Sequence, residues 1–102
     1  MVISLEEVKT FIRVDYDDDD NLIELLIDNA ENYLKDAIDD YDSKIENERF
    51  KNKTRLAILV LVSNWYDNRD FTEFKIEEKV RYTLHSLIQQ MKHGYYGDKN
   101  EI

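Results

Sequence analysis

The sequence predicts an all-α fold, a small bundle of about four helices with the first one short. Three observations predict it. The chain of 102 residues has no Pro and only two Gly, Gly94 and Gly97, whereas a sandwich or barrel uses Gly and Pro in its many tight turns. Apolar residues recur three and four positions apart along most of the chain, the period of a helix with one buried face. One Trp, seven Tyr and four Phe set the chain apart from disordered sequences, which are poor in aromatics. A chain of this length builds one small core. The helical domain is expected over residues 1–94, followed by a polar tail over 95–102.

The first helix starts at a capping box. In Ser4-Leu5-Glu6-Glu7, the Ser4 hydroxyl can accept from the Glu7 amide while the Glu7 carboxylate reaches back to Ser4. Leu5, Val8, Phe11 and Ile12 then share a face, and the helix is expected to end near Arg13. Asp15 to Asp20 form an acidic turn interrupted only by Tyr16. Carboxylates suit a helix start, where they meet unpaired amides and the positive end of the dipole. Asp18 or Asp19 is therefore the expected N-cap of a second helix over Asp20–Asp39. Its apolar positions form two adjacent stripes, 22-26-30-33-37 and 23-27-30-34-38-41. Such a wide apolar face predicts a central helix.

Asp39 to Glu48 is polar and acidic and reads as a connection. The third helix is expected over Arg49–Asn68. Its run Leu56–Val62 is apolar at every position, which fits a helix or a buried strand equally well. The spacing of Phe50, Ala57, Leu61 and Trp65, with no turn residue bounding the run, decides for a helix enclosed on most sides by its own domain or by neighbouring subunits. A second connection spans Asp67–Lys75 and contains Phe71 and Phe74. The last helix is expected from Ile76 to His93, with the stripe Ile76, Val80, Leu84, Leu87, Ile88 and Met91. Gly94 follows as its C′ residue, and Lys92 and His93 sit at the negative end of the dipole.

Charge divides along the chain. The formal net charge is −9, but residues 1–48 carry 16 acids and 4 bases, and residues 49–102 carry 7 acids and 10 bases. A negative total excludes a protein that coats nucleic acid with a basic face. Two unlike halves instead suggest head-to-tail contact between copies, or an acidic surface turned toward something. The N-terminus lacks the basic and long apolar segments of a signal peptide. The longest apolar run has seven residues, against about 20 for a membrane helix. The chain is expected to be soluble and cytosolic when made, with no membrane partner.

Little in the sequence carries chemistry. Without Cys, disulfides, CxxC zinc sites and thiol nucleophiles are excluded. Read as a calcium loop starting at Asp15, the acidic turn offers acids at positions one, three and five. It places Asp20 and Leu26 where that loop needs Gly and Glu, so a solvated helix start is the better reading. His85 and His93 have no HExxH arrangement, and the serines have no nucleophile elbow. Both glycines lie too near the C-terminus for a phosphate loop. Neither a catalytic residue nor a cofactor nor a metal site is expected. Two clusters remain as interface candidates. Arg49, Lys51, Lys53 and Arg55 surround a helix start and could meet nucleic acid, the acidic half of a neighbour, or solvent alone. Trp65-Tyr66-Asp67-Asn68-Arg69 combines a core Trp and an Asn suited to a left-handed C-cap with residue types that dominate interfaces.

Two blocks of the chain resemble a known family. Leu5-Glu6-Glu7-Val8-Lys9, Ile12-Arg13-Val14-Asp15, the acidic turn, Asn21 to Ile27 and Ala30 form the first. Ala57 to Val62 followed by Trp65-Tyr66-Asp67-Asn68-Arg69 forms the second. In this order and spacing they are similar to the tailed-phage head–tail connector, or adaptor, proteins, often labelled DNA-packaging proteins. Val80-Arg81 and Leu84 to Met91 are compatible with that family's last helix. Members commonly carry Pro near the connections, and this chain has none.

The resemblance implies a non-enzymatic virion protein that assembles into a closed ring of about a dozen copies. The ring would sit beneath the portal, join it to a stopper or tail-completion protein, and let DNA pass through its centre without specific contact. Location would be the head–tail junction, and the host cytoplasm during assembly. Trp65, Tyr66, Asn68, Arg69, Arg49, Lys51, Lys53 and Arg55 are the expected interface residues. Asp17, Asp18, Asp19 and Asp20 are the expected channel-lining acids, where carboxylates would repel phosphates. The alternative is a small helical protein-binding or regulatory module of phage or host. A DNA-binding regulator would need a basic recognition helix, for which only residues 49–55 are available.

Overall fold

The structure, a computed structural model, describes residues 2–67 and 76–93. Among the described residues it contains five helices and no strand: α1 (Leu5–Ile12), α2 (Asp20–Ala37), α3 (Tyr41–Lys44), α4 (Glu48–Asp67) and α5 (Glu78–His93). This is the small all-α bundle expected, with a short first helix and one extra turn, α3. The expected caps or linkers at Asn68, Arg69, Phe71, Phe74 and Gly94, and the tail 95–102, lie outside the described residues.

The capping box of α1 forms as read. Glu7 N–H donates to the Ser4 hydroxyl at 3.1 Å and Ser4 N–H to the Glu7 carboxylate at 3.1 Å. The helix closes at Arg13, whose left-handed backbone (φ 61°) lets its own amide and that of Val14 reach back to the carbonyls of Thr10 and Lys9. This is the usual helix stop with Arg in the place Gly commonly takes. Val14 is buried directly after it.

Ile23, Ile27, Ala30 and Leu34 of α2 are buried, with Leu26 beside them. The other expected stripe is only partly covered, because Leu22 and Ala37 are half-buried and Tyr33 is exposed. The central helix is instead α4, which packs against α1, α2 and α5. Its flanks are apolar on three sides, whereas α2 has one fully buried stripe. α2 also ends two residues before the expected Asp39. Ile38 turns extended (φ −125°) to bury its side chain, and Asp40 turns left-handed (φ 58°) into α3. That turn is held by tertiary contacts. Tyr41 is buried edge-on against Phe50, with ring centroids 5.7 Å apart and planes at 73°, and its hydroxyl donates to Glu31 at 3.3 Å. A polar segment gives no periodicity from which to read such a turn.

Asn47 caps α4, its side-chain oxygen accepting from the amides of Arg49 and Phe50 at 2.9 and 3.2 Å. Phe50, Ala57, Leu61 and Trp65 are all buried, as their spacing requires. α5 starts two residues later than expected, after the half-buried Ile76. Its entry is fixed from α4, where the buried Asn64 side chain accepts from the Glu77 amide at 3.2 Å. Lys53 of α4 reaches Gln90 near the other end of α5 at 2.9 Å, so the two helices run antiparallel. Leu84, Leu87 and Met91 complete the core. Each such buried aliphatic side chain contributes about 1.5–3 kcal/mol relative to exposure.

Candidate functional site

The acidic turn is clamped to the bundle from both sides. On one side, Lys9 projects from α1 with its side chain 6% exposed and its ammonium 2.9 Å from Asp17 and 2.8 Å from Asp20. Hydrogen bonds donated by its ammonium to Asp20 and then to Asp17 hold the Lys9 pKa well above its ordinary value. On the other side, Tyr66 near the end of α4 donates to the Asp19 carboxylate at 2.5 Å. Tyr16 lies 3.0 Å from the Tyr66 oxygen and 3.4 Å from Asp19. The bond to Asp19, then that to Tyr16, pushes the Tyr66 phenol up. Asp19 therefore holds the N-cap position of α2 without capping it through its side chain, because that carboxylate is turned to the tyrosines. The expected side-chain N-cap is corrected on this point.

This clamp joins the two blocks singled out in the sequence, the acidic turn and the Trp65-Tyr66 segment. Trp65 and Tyr66 are 2% and 5% exposed, so within the subunit both serve packing. Asn68 and Arg69 lie outside the described residues. Of the four candidate channel acids, Asp17 and Asp18 are exposed and Asp19 and Asp20 half-buried. Lys9 and Tyr16 were missed as members of the cluster. A signal existed for Lys9, since it shares a helix side with Leu5 and Ile12 and is one of few bases in an acid-rich half.

The basic cluster divides around α4. Arg55 pairs with Glu7 and donates to the Val2 carbonyl at 3.4 Å, tying the N-terminal segment to α4. The Ser4 amide first, and Arg55 after the Ser4 hydroxyl, hold the Glu7 carboxyl below its ordinary value. Lys51 reaches Glu48 of its own helix at 4.0 Å, and Lys53 reaches Gln90. Arg49 is exposed. Alternate spacing on a helix separates these four charges, so no single basic face results.

Two surfaces are apolar and uncovered. Along α4, Leu56 is 45% exposed and Leu59 and Val60 are half-buried. A groove here sets Phe11, Val60 and Val80 beside the polar Ser63, Asn64, Asp67, Glu77 and Lys79. Phe11, expected on the buried face of α1, is 49% exposed at its edge. On α2, Leu25 is 60% exposed, with Leu22 and Tyr33 along the same edge. α4 is thus enclosed on three sides and open on the fourth.

Among the described residues, no group of three or more His, Cys, Asp or Glu side chains is placed to hold a metal ion. In the acidic turn, the Lys9 ammonium is the cation that the carboxylates of Asp17 and Asp20 gather around. No described helix is long and apolar enough to cross a membrane. A family model described as phage gp6-like head-tail connector protein matches residues 2–93. Searches of curated proteins and of solved structures returned no match.

Proposed function

Since the chain belongs to the phage gp6-like head-tail connector family, we propose that it forms a ring beneath the portal of a filled capsid and passes DNA through the centre of that ring. The family's role is structural, at the head–tail junction of the virion. The finer reading adds the portal on one side, a stopper or tail-completion protein on the other, and assembly in the host cytoplasm. The observation that carries it is the family match across residues 2–93. The clamp between the acidic turn and Tyr66 supports it, because a ring subunit must present its surfaces from a rigid frame.

The decisive experiment is cryo-imaging of the protein mixed with the portal protein of the same phage. A ring seated on the portal is expected, and a protein that never binds the portal would overturn the reading. The acidic turn is proposed to face the channel, where exposed carboxylates repel passing phosphates. Asp18 tests this best, since it is exposed and the carboxylates bound to Lys9 and Tyr66 are its neighbours. Asp18→Lys is expected to slow DNA ejection and lower infectivity. Unchanged infectivity would remove the turn from the channel.

A further inference from the structure

We propose that the outer face of α2 in one subunit docks, head to tail, into the open groove over α4 in a second copy of this chain. The proposal deepens the connector reading and rests on it for the setting in which copies meet. The geometry comes from the helices themselves. On α2 the buried residues Ile23, Ile27, Ala30 and Leu34 lie roughly opposite Leu25, which is 60% exposed. On α4 the buried residues Ile58, Leu61 and Trp65 lie roughly opposite Leu56, which is 45% exposed. α2 and α4 pack against each other through their buried sides, so the two uncovered stripes point in opposite directions. One is a ridge and the other a groove. A ridge and a groove on opposite sides cannot satisfy each other within one subunit, but they can between successive copies, the heterologous arrangement that closes into a ring or runs on as a filament.

Charge selects the partner and the direction. The outer face of α2 bears Glu24 and Asp28 beside Leu25, and Asp36 near its end, while Lys35 leans over the Tyr41 ring. Two such faces brought together would oppose carboxylates. The outer side of α4 begins with Arg49 and Lys53, and the ammonium of Lys53 is held by the neutral Gln90, which leaves its charge intact. The far end of the groove carries Asp67 and Glu77 beside Lys79. The acidic first half of α2 therefore matches the basic first half of α4, and Asp36 would arrive at the far end of the groove, where Lys79 lies. This parallel match sets Leu25 of one copy near Leu56 of the next.

The chain contains no Cys, so single cysteines report contacts without background. Leu25→Cys and Leu56→Cys proteins, mixed at high concentration under mild oxidation, are expected to give a mixed disulfide dimer several-fold more abundant than either homodimer. The double variant is expected to give a ladder of multimers. Ser86→Cys, exposed on α5, is the control. Dominant homodimers, or no cross-linking above the control, would overturn the proposal, as would Leu56→Cys linking to the portal in place of a second copy. Imaging with the portal separates the two readings. If Leu25→Glu, still helical by circular dichroism, forms rings as well as the parent protein, the docking surface is wrong and the connector reading stands. If the cysteine ladder forms but no portal ring is ever seen, the reverse holds.

Discussion

Lys9 is a cation placed on a side of α1 that otherwise carries Leu5 and Ile12, and its two carboxylate partners decide what its loss does. Asp17 is exposed while Asp20 is largely covered, so removing the cation strands Asp20 more than Asp17. Lys9→Met is expected to lower the melting temperature more than Asp17→Asn does, in thermal unfolding followed by circular dichroism. Equal effects would mean that the exposed member of the cluster carries the clamp. At the other side of the turn, Tyr66→Phe keeps the buried ring and removes the hydroxyl that donates to Asp19. A hydrogen bond to a charged acceptor is worth about 1.5–3 kcal/mol when buried, and Asp19 is only half-buried. A loss of about 1–2 kcal/mol in denaturant unfolding is therefore expected. These groups also set an alkaline limit. Lys9, Tyr66 and Tyr41 all hold their protons above their ordinary pKa values, through Asp20 and Asp17, through Asp19 and Tyr16, and through burial and Glu31 respectively. The folded state then binds more protons than the unfolded chain in that range. Their contribution is complete below the ordinary pKa of about 10 and is lost as pH rises through the raised values. Stability should be flat from pH 8 to about 9.5 and fall above about 10. Tyrosinate absorbance should show Tyr41 and Tyr66 ionising only with unfolding, and Tyr66→Phe should soften the fall. A late phase that is identical in Tyr66→Phe would count against the assignment.

Helix ends in this chain are fixed by single side chains, and these differ in how legible they are. The capping box at Ser4 and Glu7 is local, three residues apart, so the sequence displays both partners. Asn64 is different: it caps the entry to α5 from within α4, thirteen residues away, and no local pattern reveals it. Asn64→Ala should cost about 1 kcal/mol, the usual value of a lost cap. The loss should appear in hydrogen exchange as faster amides in the first turn of α5, with α2 unaffected. Uniform acceleration across all helices would mean that Asn64 acts through core packing. The same division between local and distant causes explains the rest of the sequence reading. Four helices are legible because each has a stripe of period 3.6, as in Phe50, Ala57, Leu61 and Trp65. α3 is not, because Tyr41 is buried by Phe50 and Glu31, which belong to other helices. The two candidate clusters, Asp17–Asp20 and Trp65-Tyr66, are both visible as composition. Their junction through Asp19 and Tyr66 spans 47 positions, and only the fold brings it together. Phe11 and Leu25 were equally unreadable as exposed, since an apolar residue on a helix does not announce whether its own subunit or another surface covers it.

For the molecule as a whole, the question is whether charge supports or opposes the folded subunit. The net charge of −9 is concentrated in the first 48 residues, with 16 acids against 4 bases. Two of those bases have described positions that limit how far they neutralise the acids: Lys9 serves Asp17 and Asp20, and Lys35 lies 5.9 Å from the Tyr41 ring. Most of the carboxylates on α2 and the acidic turn therefore repel one another across solvent. Salt screens exposed charges over about 8–10 Å near physiological ionic strength, and buried pairs much less. It should weaken this repulsion while leaving the Lys9 cluster largely intact, so the balance favours stabilisation. Raising sodium chloride from about 10 mM to 150 mM is expected to raise the melting temperature by a few degrees, equivalent to somewhat under 1 kcal/mol for a chain of this size. The rise must be independent of protein concentration, which separates screening within a subunit from any gain by association between copies. A melting temperature that falls with salt would show that the ion pairs, and not the unpaired acids, dominate the electrostatics. The acidic half would then be a stabilising feature of the lone subunit, with no need of a basic surface on a neighbouring copy to relieve it.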